Sequence, residues 1–310
     1  MKLSANIGRF VTAAAVMLPF AILLPWTAAA QNQTDQYPTV HMSSEDVANG
    51  GILLLQIDAG TLDLPATDMH IDFNGNSCRV FRLPTNGSGV YLALLGIPYY
   101  TKPGPQKLKL IYSDPTGKKS RLFPFQVVAG KYKTDILKVD GRRVNPNRDD
   151  LQRASREHQE VKYVYANGIK ERLWEGKFQL PVDNEISSRF GNRRVFNGQL
   201  KSYHNGLDFR APRGTPVCAS NSGVVRLAKN LFYSGNAVII DHGTQIFTIY
   251  AHLSKIETAA GRRIEKGQPL GLSGATGRVS GPHLHWGVKL GGIAVNPLQF
   301  VEIMDELVQR

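Results

Sequence analysis

The chain is poor in cysteine, in long apolar stretches and in clustered positive charge. Only Cys78 and Cys218 occur among its 310 residues, 140 positions apart. That excludes a disulfide-dense scaffold. Neither thiol has a partner at a metal-type spacing, so both are expected to be free and buried. No cysteine lies near Ala30, which argues against a lipoprotein anchor. No basic run is interleaved with aromatics, which argues against nucleic acid as a partner. The one extended apolar run, Phe10 to Trp26, is broken by Pro19 and Pro25. It follows Lys2 and Arg9 and leads to Ala28-Ala29-Ala30, the small residues a signal peptidase needs. Residues 1–30 are therefore read as a signal peptide cleaved after Ala30, which leaves no stable membrane anchor and exports the chain to the periplasm.

What is present suits a globular, mostly β protein. The chain is 42% hydrophobic and 20% charged, with 30 glycines and 17 prolines. So much glycine and proline among short apolar runs favours strands over a helical bundle. The formal charge of +12 falls to about +10 once Lys2 and Arg9 are removed. A basic exported protein suits an anionic partner, a cell-wall polymer or the membrane surface ahead of nucleic acid.

Residues 38–139 read as an immunoglobulin-like β-sandwich. Gly51 to Ile57 is a buried strand, Asn74-Gly75-Asn76 a tight turn, and Cys78 to Leu83 alternates with period two. Asp114-Pro115-Thr116-Gly117 joins strands at Lys107–Tyr112 and Phe123–Val128 into a hairpin. No residue cluster in this part could perform catalysis, so its role is structural or targeting. Residues 140–176 form a linker, with a helix from about Arg148 to Tyr163 capped near Asn147 or Asp149. Residues 177–300 return to strands. Ala237–Ile240 and Gln245–Tyr250 flank a hairpin turn at Asp241–Thr244, Pro282–Leu290 is a further strand, and residues 301–310 are a tail with a short helix.

Four histidines in this last part stand in three short segments: His204-Asn205-Gly206-Leu207-Asp208, Tyr250-Ala251-His252-Leu253 and His283-Leu284-His285. Alternation along a strand puts His283 and His285 on one face, with Leu284 and Trp286 towards the core. If extended, His204 and Asp208 would have Cα atoms about 13 Å apart, at or beyond the reach of one ion, so some bend is needed and Asn205-Gly206 can supply it. A helical turn would also serve, but Gly206 and Pro212 argue against a helix. Two histidines and one carboxylate make a catalytic zinc set that leaves the fourth position for water. Such an ion lowers the pKa of bound water towards ~7, and a neutral imidazole can take the proton and return it to a leaving amine. Scattered core or surface histidines are the alternative, and three such segments in one region weigh against it. His242, in its turn, is read as a hydrogen-bonding residue.

Several segments occur in the order seen in the LytM-type (lysostaphin-like) peptidases. They are Ser188-Arg189-Phe190-Gly191, His204 to Asp208, Gly214-Thr215-Pro216-Val217, Tyr250 to Leu253, Gly274-Ala275-Thr276-Gly277 and Gly281-Pro282-His283-Leu284-His285. The resemblance covers roughly residues 180–300. It implies a compact antiparallel β-sheet with a groove, one zinc ion on His204, Asp208 and His285, and catalytic assistance from His252 and His283. The long insert between Gly191 and His204, which holds Asn192-Arg193-Arg194 and Asn197-Gly198, resembles the Gram-negative cross-link hydrolases. The implied activity is a zinc metalloendopeptidase cutting peptidoglycan cross-links between D-alanine and diaminopimelate. Arg193 and Arg194 are candidate clamps for substrate carboxylates, against the alternative of a solvated pair. No tyrosine is matched to the one that some relatives place near the zinc.

Two other functions compete: a non-catalytic wall-binding regulator of another hydrolase, and a zinc peptidase acting on glycine-rich proteins. Regulators in the resembling family have lost zinc ligands, whereas the full set stands here. The front domain or the helix at Arg148–Tyr163 is expected to restrict access to the groove until a regulatory protein partner or the substrate displaces it.

Overall fold

Strand burial in the front half explains why its sequence pattern changes along the chain. The elements are β1 (Thr39–Met42), β2 (Asp46–Ala48), β3 (Ile52–Asp58), β4 (Met69–Phe73), β5 (Asn76–Arg79), β6 (Val90–Gly96), β7 (Gly104–Asp114) and β8 (Gly117–Val128). They make two sheets in a computed structural model, one ordered β1-β3-β6 and the other β2-β8-β7-β4-β5. The structure describes residues 37–60, 64, 69–83 and 89–309. The expected signal peptide at residues 1–30 lies outside these. Among the described residues no helix is long and apolar enough to cross a membrane.

Leu53, Leu55 and Ile57 of β3 pack with Ile71, Leu108, Leu110 and Val127 in the core between the two sheets. The intervening Ile52 and Leu54 pack on the other side with Leu94, Trp174 and Phe300. A strand covered on both faces has no polar alternation, which is why Ile52-Leu53-Leu54-Leu55 reads as an unbroken apolar run. In β7, by contrast, Leu108 and Leu110 are buried while Lys107 and Lys109 face solvent. The Asn74-Gly75 turn, with φ of 52° and 78°, closes the β4–β5 hairpin as expected. β5 ends at Arg79. The period-two alternation of residues 78–83 persists beyond the strand, with Cys78 and Val80 against one core and Phe81 and Leu83 in the other.

The connection to the back half carries β9 (Thr134–Leu137), α1 (Gly141–Val144) and α2 (Arg148–Ala166). Asn147 caps α2 by accepting the Asp150 N–H at 2.8 Å, and Asp149 and Asp150 lie in its first turn, where acidic groups favour the helix dipole. Its inner face, Val161, Val164 and Tyr165, packs on Leu227, Leu231 and Phe247.

The back half then supplies β10 (Ile186–Ser188), β11 (Arg193–Phe196), β12 (Gln199–Tyr203), β13 (Leu207–Phe209), β14 (Pro216–Cys218), β15 (Gly223–Leu231) and β16 (Gly235–Asp241). After these come β17 (Ile246–Leu253), β18 (Lys255–Ile256), β19 (Arg263–Ile264), β20 (Pro269–Leu272), β21 (Leu284–Leu290), β22 (Ile293–Val295) and α3 (Pro297–Gln309). The main sheet runs β10-β13-β21-β17-β16-β15-β19, with β22 beside β21. Its described pairings are antiparallel. The final helix begins earlier than the tail expected at 301–310, because Phe300, Ile303, Met304 and Leu307 all reach the core.

β9 lies within the stretch 38–139 yet pairs in parallel with β11, which pairs with β12. The described residues fall in one compact unit. Cys78 and Cys218 are both free thiols, half-buried.

Candidate active site

Adjacent strands β13, β21 and β17 bring the histidine segments together. Asp208 is paired in register with His285, and His285 with Ala251, the neighbour of His252. The bend expected at Asn205-Gly206 is present, since β12 stops at Tyr203 and β13 starts at Leu207. Only glycine fits at 206. A Cβ there would lie 2.4 Å from the Trp286 carbonyl oxygen and 2.8 Å from the His285 ring. Leu284 and Trp286 are fully buried, so the alternation of β21 turns His285 to the opposite face.

The bend lets His204 and Asp208 meet. His204 Nε2 lies 2.9 Å from Asp208 Oδ1 and 3.0 Å from His285 Nδ1, and His285 Nδ1 lies 2.9 Å from the same oxygen. His204 Nδ1 faces the Arg189 carbonyl at 2.9 Å, a bond that in the neutral ring makes Nε2 the atom able to ligate an ion. Three potential ligand atoms thus converge within reach of one ion. A triangle of this size can be capped by a cation ~2.0–2.2 Å from each corner, the zinc distance to imidazole and carboxylate. The donor set fits zinc in number and type, and its atoms lie close enough together to share one ion. Burial alone would raise the Asp208 carboxyl, but the His204 and His285 imidazoles outweigh it and hold it well below the usual carboxylate range. Burial pushes His285 down to about 4.

His252 and His283 flank the trio. Their ring centroids are 4.8 Å apart, and that of His252 is 5.9 Å from His285. His252 sits in a bulge of β17, where pairing slips between Asn236 and Val238 of β16. Its φ is 64°, a left-handed backbone that is uncommon outside glycine and re-aims the imidazole at the groove. His252 Nδ1 lies 2.8 Å from the Thr276 carbonyl, and His283 Nδ1 lies 2.8 Å from that of Gly281. Both tautomers are thereby set with an unprotonated Nε2, the form able to accept a proton. Burial, then the neighbouring His283 and His285, depress the proton affinity of His252 well below the ordinary imidazole value.

The two arginines of the insert point to different sides. Arg194 and Phe196 share one face of β11 and line the groove. Arg194 Nη2 donates to Asp208 Oδ2 at 2.6 Å and to Ser188 Oγ at 3.1 Å, and its Nε lies 3.5 Å from Asp135 Oδ2. Arg193 is exposed and is paired in register with Tyr203 of β12. Asp135, on β9, also accepts from Ser188 Oγ at 2.6 Å and from Asn192 Nδ2 at 2.9 Å. Sequence reasoning assigned Asp135, Ser188 and Arg278 no chemistry, yet all three line the groove. So do Tyr203 and Tyr233. The groove encloses about 750 Å³, with β9 on one wall and the loop Arg278–Pro282 on another.

The sequence profile of peptidase family M23 matches residues 202–297, a span that holds the trio and both flanking histidines. Over 173 residues the chain is 40% identical to the peptidoglycan DD-endopeptidase ShyA of Vibrio cholerae, covering 55% of this chain and 35% of that one. It is 41% identical over 128 residues to the DD-carboxypeptidase/endopeptidase Mpg of Neisseria meningitidis, covering 41% of this chain and 30% of that one. It thus spans about a third of the length of these curated relatives. A crystal structure from Pseudomonas aeruginosa, assigned by its description to peptidase M23, superposes with a TM-score of 0.62 at 31% identity. The match covers 82% of this chain and 94% of that one.

Proposed function

Since the chain belongs to peptidase family M23, a family of metallopeptidases, we propose that it is an exported zinc endopeptidase. Its substrate is the peptide cross-link of bacterial peptidoglycan, cut between D-alanine and diaminopimelate in the periplasm. The observation that carries this reading is the convergence of His204 Nε2, Asp208 Oδ1 and His285 Nδ1 beside two imidazoles whose Nε2 atoms are free to take protons. The named activities of the Vibrio and Neisseria relatives support the substrate, and the signal-like residues 1–30 support export.

One zinc ion held by the trio would supply Lewis-acid polarisation of the scissile carbonyl and activation of water. The protein's own groups do the rest. Arg194 grips Asp208 Oδ2 and so turns Oδ1 towards both histidines. The Arg189 carbonyl holds the His204 ring in the ligating tautomer. With its Nδ1 proton committed to Thr276 and its proton affinity depressed, His252 is neutral near pH 7, so Nε2 accepts the proton of the attacking water and returns it to the departing amine. His283, 3.8 Å from Asp208 Oδ1 through Nε2, stands on the same side to share that transfer.

The test is digestion of cross-linked sacculi by the mature chain, with products identified by mass. Cross-linked muropeptides should fall and their monomers rise, and a chelator or His204→Ala should stop this. Stoichiometric zinc binding without any loss of cross-links would reject the reading.

A further inference from the structure

Arg278 is a groove residue that the mechanism above leaves unused. Its guanidinium packs over the ring of Phe196, 4.6 Å from Cζ to the centroid, and over that of Tyr233 at 4.5 Å. Aromatic faces hold a planar cation by cation–π attraction while leaving its N–H edge available. Among the described residues, the two carboxylates that line the groove are otherwise engaged. Asp208 is bonded by Arg194 and the ligand histidines, and Asp135 by Ser188, Asn192 and Arg194. Burial, with Arg194 as a nearby like charge, pushes the proton affinity of Arg278 down despite the opposing influence of Tyr233. A groove wall with an uncompensated, half-buried cation attracts an anion.

Arg278 is also held in register with His252. The Thr276 carbonyl that fixes the His252 tautomer lies two residues away on the same loop. Thr276 Oγ1 accepts the Asn236 N–H at 2.9 Å and donates to the Leu253 carbonyl at 2.8 Å, while the Arg278 N–H donates to the Tyr233 carbonyl at 2.8 Å. Between them Gly277 has φ of 84°, and a Cβ there would lie 2.4 Å from both the Gly235 nitrogen and the Tyr233 oxygen. Only glycine lets the loop press this close. One pinned loop therefore sets both a proton-transfer group and a guanidinium fork.

We propose that Arg278 is the clamp for a carboxylate of the peptide being cut, so that the groove selects acidic, diaminopimelate-type cross-links over neutral or amidated ones. The proposal rests on the peptidoglycan reading above. A guanidinium fork matches a carboxylate with two parallel hydrogen bonds, and the rigid loop gives that match a fixed distance from His252.

The experiment uses the zinc-loaded mature chain with Arg278→Gln and Arg278→Lys. Its probes are a cross-linked tetrapeptide dimer with free diaminopimelate carboxylates and the same dimer amidated. Arg278→Gln should raise KM for the free-acid dimer roughly 10- to 100-fold, the range of a lost charge-assisted pair, with kcat changed by no more than about twofold. The amidated dimer should separate wild type from variant far less. Arg278→Lys keeps the charge but loses the fork and should recover only part of the preference. It also decides the matter if the Gln variant does not fold, as melting temperature and zinc content would reveal. Equal losses on both dimers, or a loss confined to kcat, would overturn the clamp. If the wild type cuts neither dimer, the peptidoglycan reading has failed by itself, and the clamp is judged by calorimetric titration. Tighter binding of the free acid that Arg278→Gln abolishes supports it, and equal binding of both dimers overturns it.

Discussion

Two histidine–aspartate clusters lie on the same main sheet. At the end of β16, His242 Nδ1 faces the Ser222 carbonyl at 2.8 Å and Nε2 faces Thr248 Oγ1 at 2.7 Å. Beside it Asp241 accepts from the Gly243 and Ile169 N–H groups and from Arg226. At the junction of β13 and β21, His204, His252 and His283 also rest one nitrogen each on a carbonyl. There the resemblance stops. The second nitrogen of His204 meets other acceptors, and those of His252 and His283 are left for the groove. A fully satisfied imidazole holds a turn, whereas a half-satisfied one keeps a lone pair for an ion or a proton.

Deleting one carboxylate from each cluster tests that contrast most severely. Asp208→Ala should lose zinc and cut cross-links more than ~10⁴-fold slower, beyond what a single proton-transfer group contributes, while remaining folded. Asp241→Ala should instead lose about 1–3 kcal/mol of stability by stranding buried donors, with activity per folded molecule retained. Zinc content, muropeptide release and urea unfolding would read both. If Asp241→Ala proved the more damaging to catalysis, the contrast would fail. Next in size, His252→Ala should keep its zinc and lose roughly 10²–10⁴-fold in kcat, as expected for a general base. Loss of zinc from that variant would make His252 a ligand.

Much of this was legible in the residues. The apolar runs, the Asn74-Gly75 turn and the cap at Asn147 are local, and each formed where local chemistry puts it. Reach called for some bend between His204 and Asp208, since ~13 Å between extended Cα atoms is at or beyond what one ion spans, and Asn205-Gly206 was the place able to supply it. What stayed hidden depended on register between distant segments. Nothing in Thr134-Asp135-Ile136-Leu137 says that it pairs with β11, nor that Asp135 will meet Ser188, 53 residues away. Arg193 and Arg194 look alike in sequence. Which one faces Asp208 is decided by the pleat of β11, and that is fixed only once Phe196 is known to point inward.

Arg194 carries a smaller effect that sharpens the same contrast. Arg226 bonds Asp241 in the saturated cluster as Arg194 bonds Asp208 in the open one. Residues that orient metal ligands typically contribute about 10- to 100-fold in metal affinity. Arg194→Met should therefore weaken zinc binding by that factor in competition with a chelator, and excess zinc should restore most of the activity. Unchanged affinity together with a raised KM would move Arg194 back to the substrate.

The smallest effect on catalysis, and the clearest on stability, belongs to His242. Burial pushes its pKa down to about 4 from the ordinary 6.5, so the folded chain holds it neutral while the unfolded chain protonates it. Its contribution is complete above pH 6.5 and is lost progressively as the pH falls towards 4, because only the unfolded state takes up the proton in that window. The full loss is on the order of 3 kcal/mol. His252 and His285 are also depressed, so acid weakens the protein at both clusters. Subtracting a His242→Gln variant from the wild type isolates one of them. Glutamine can still donate to Ser222 and accept from Thr248, and it does not titrate. The variant should match the wild-type kcat at pH 7 and lose less stability than the wild type between pH 6.5 and 4.5 in urea unfolding. Parallel pH profiles for the two proteins would mean that His242 is not held neutral, and the division between saturated and open imidazoles would lose its structural half.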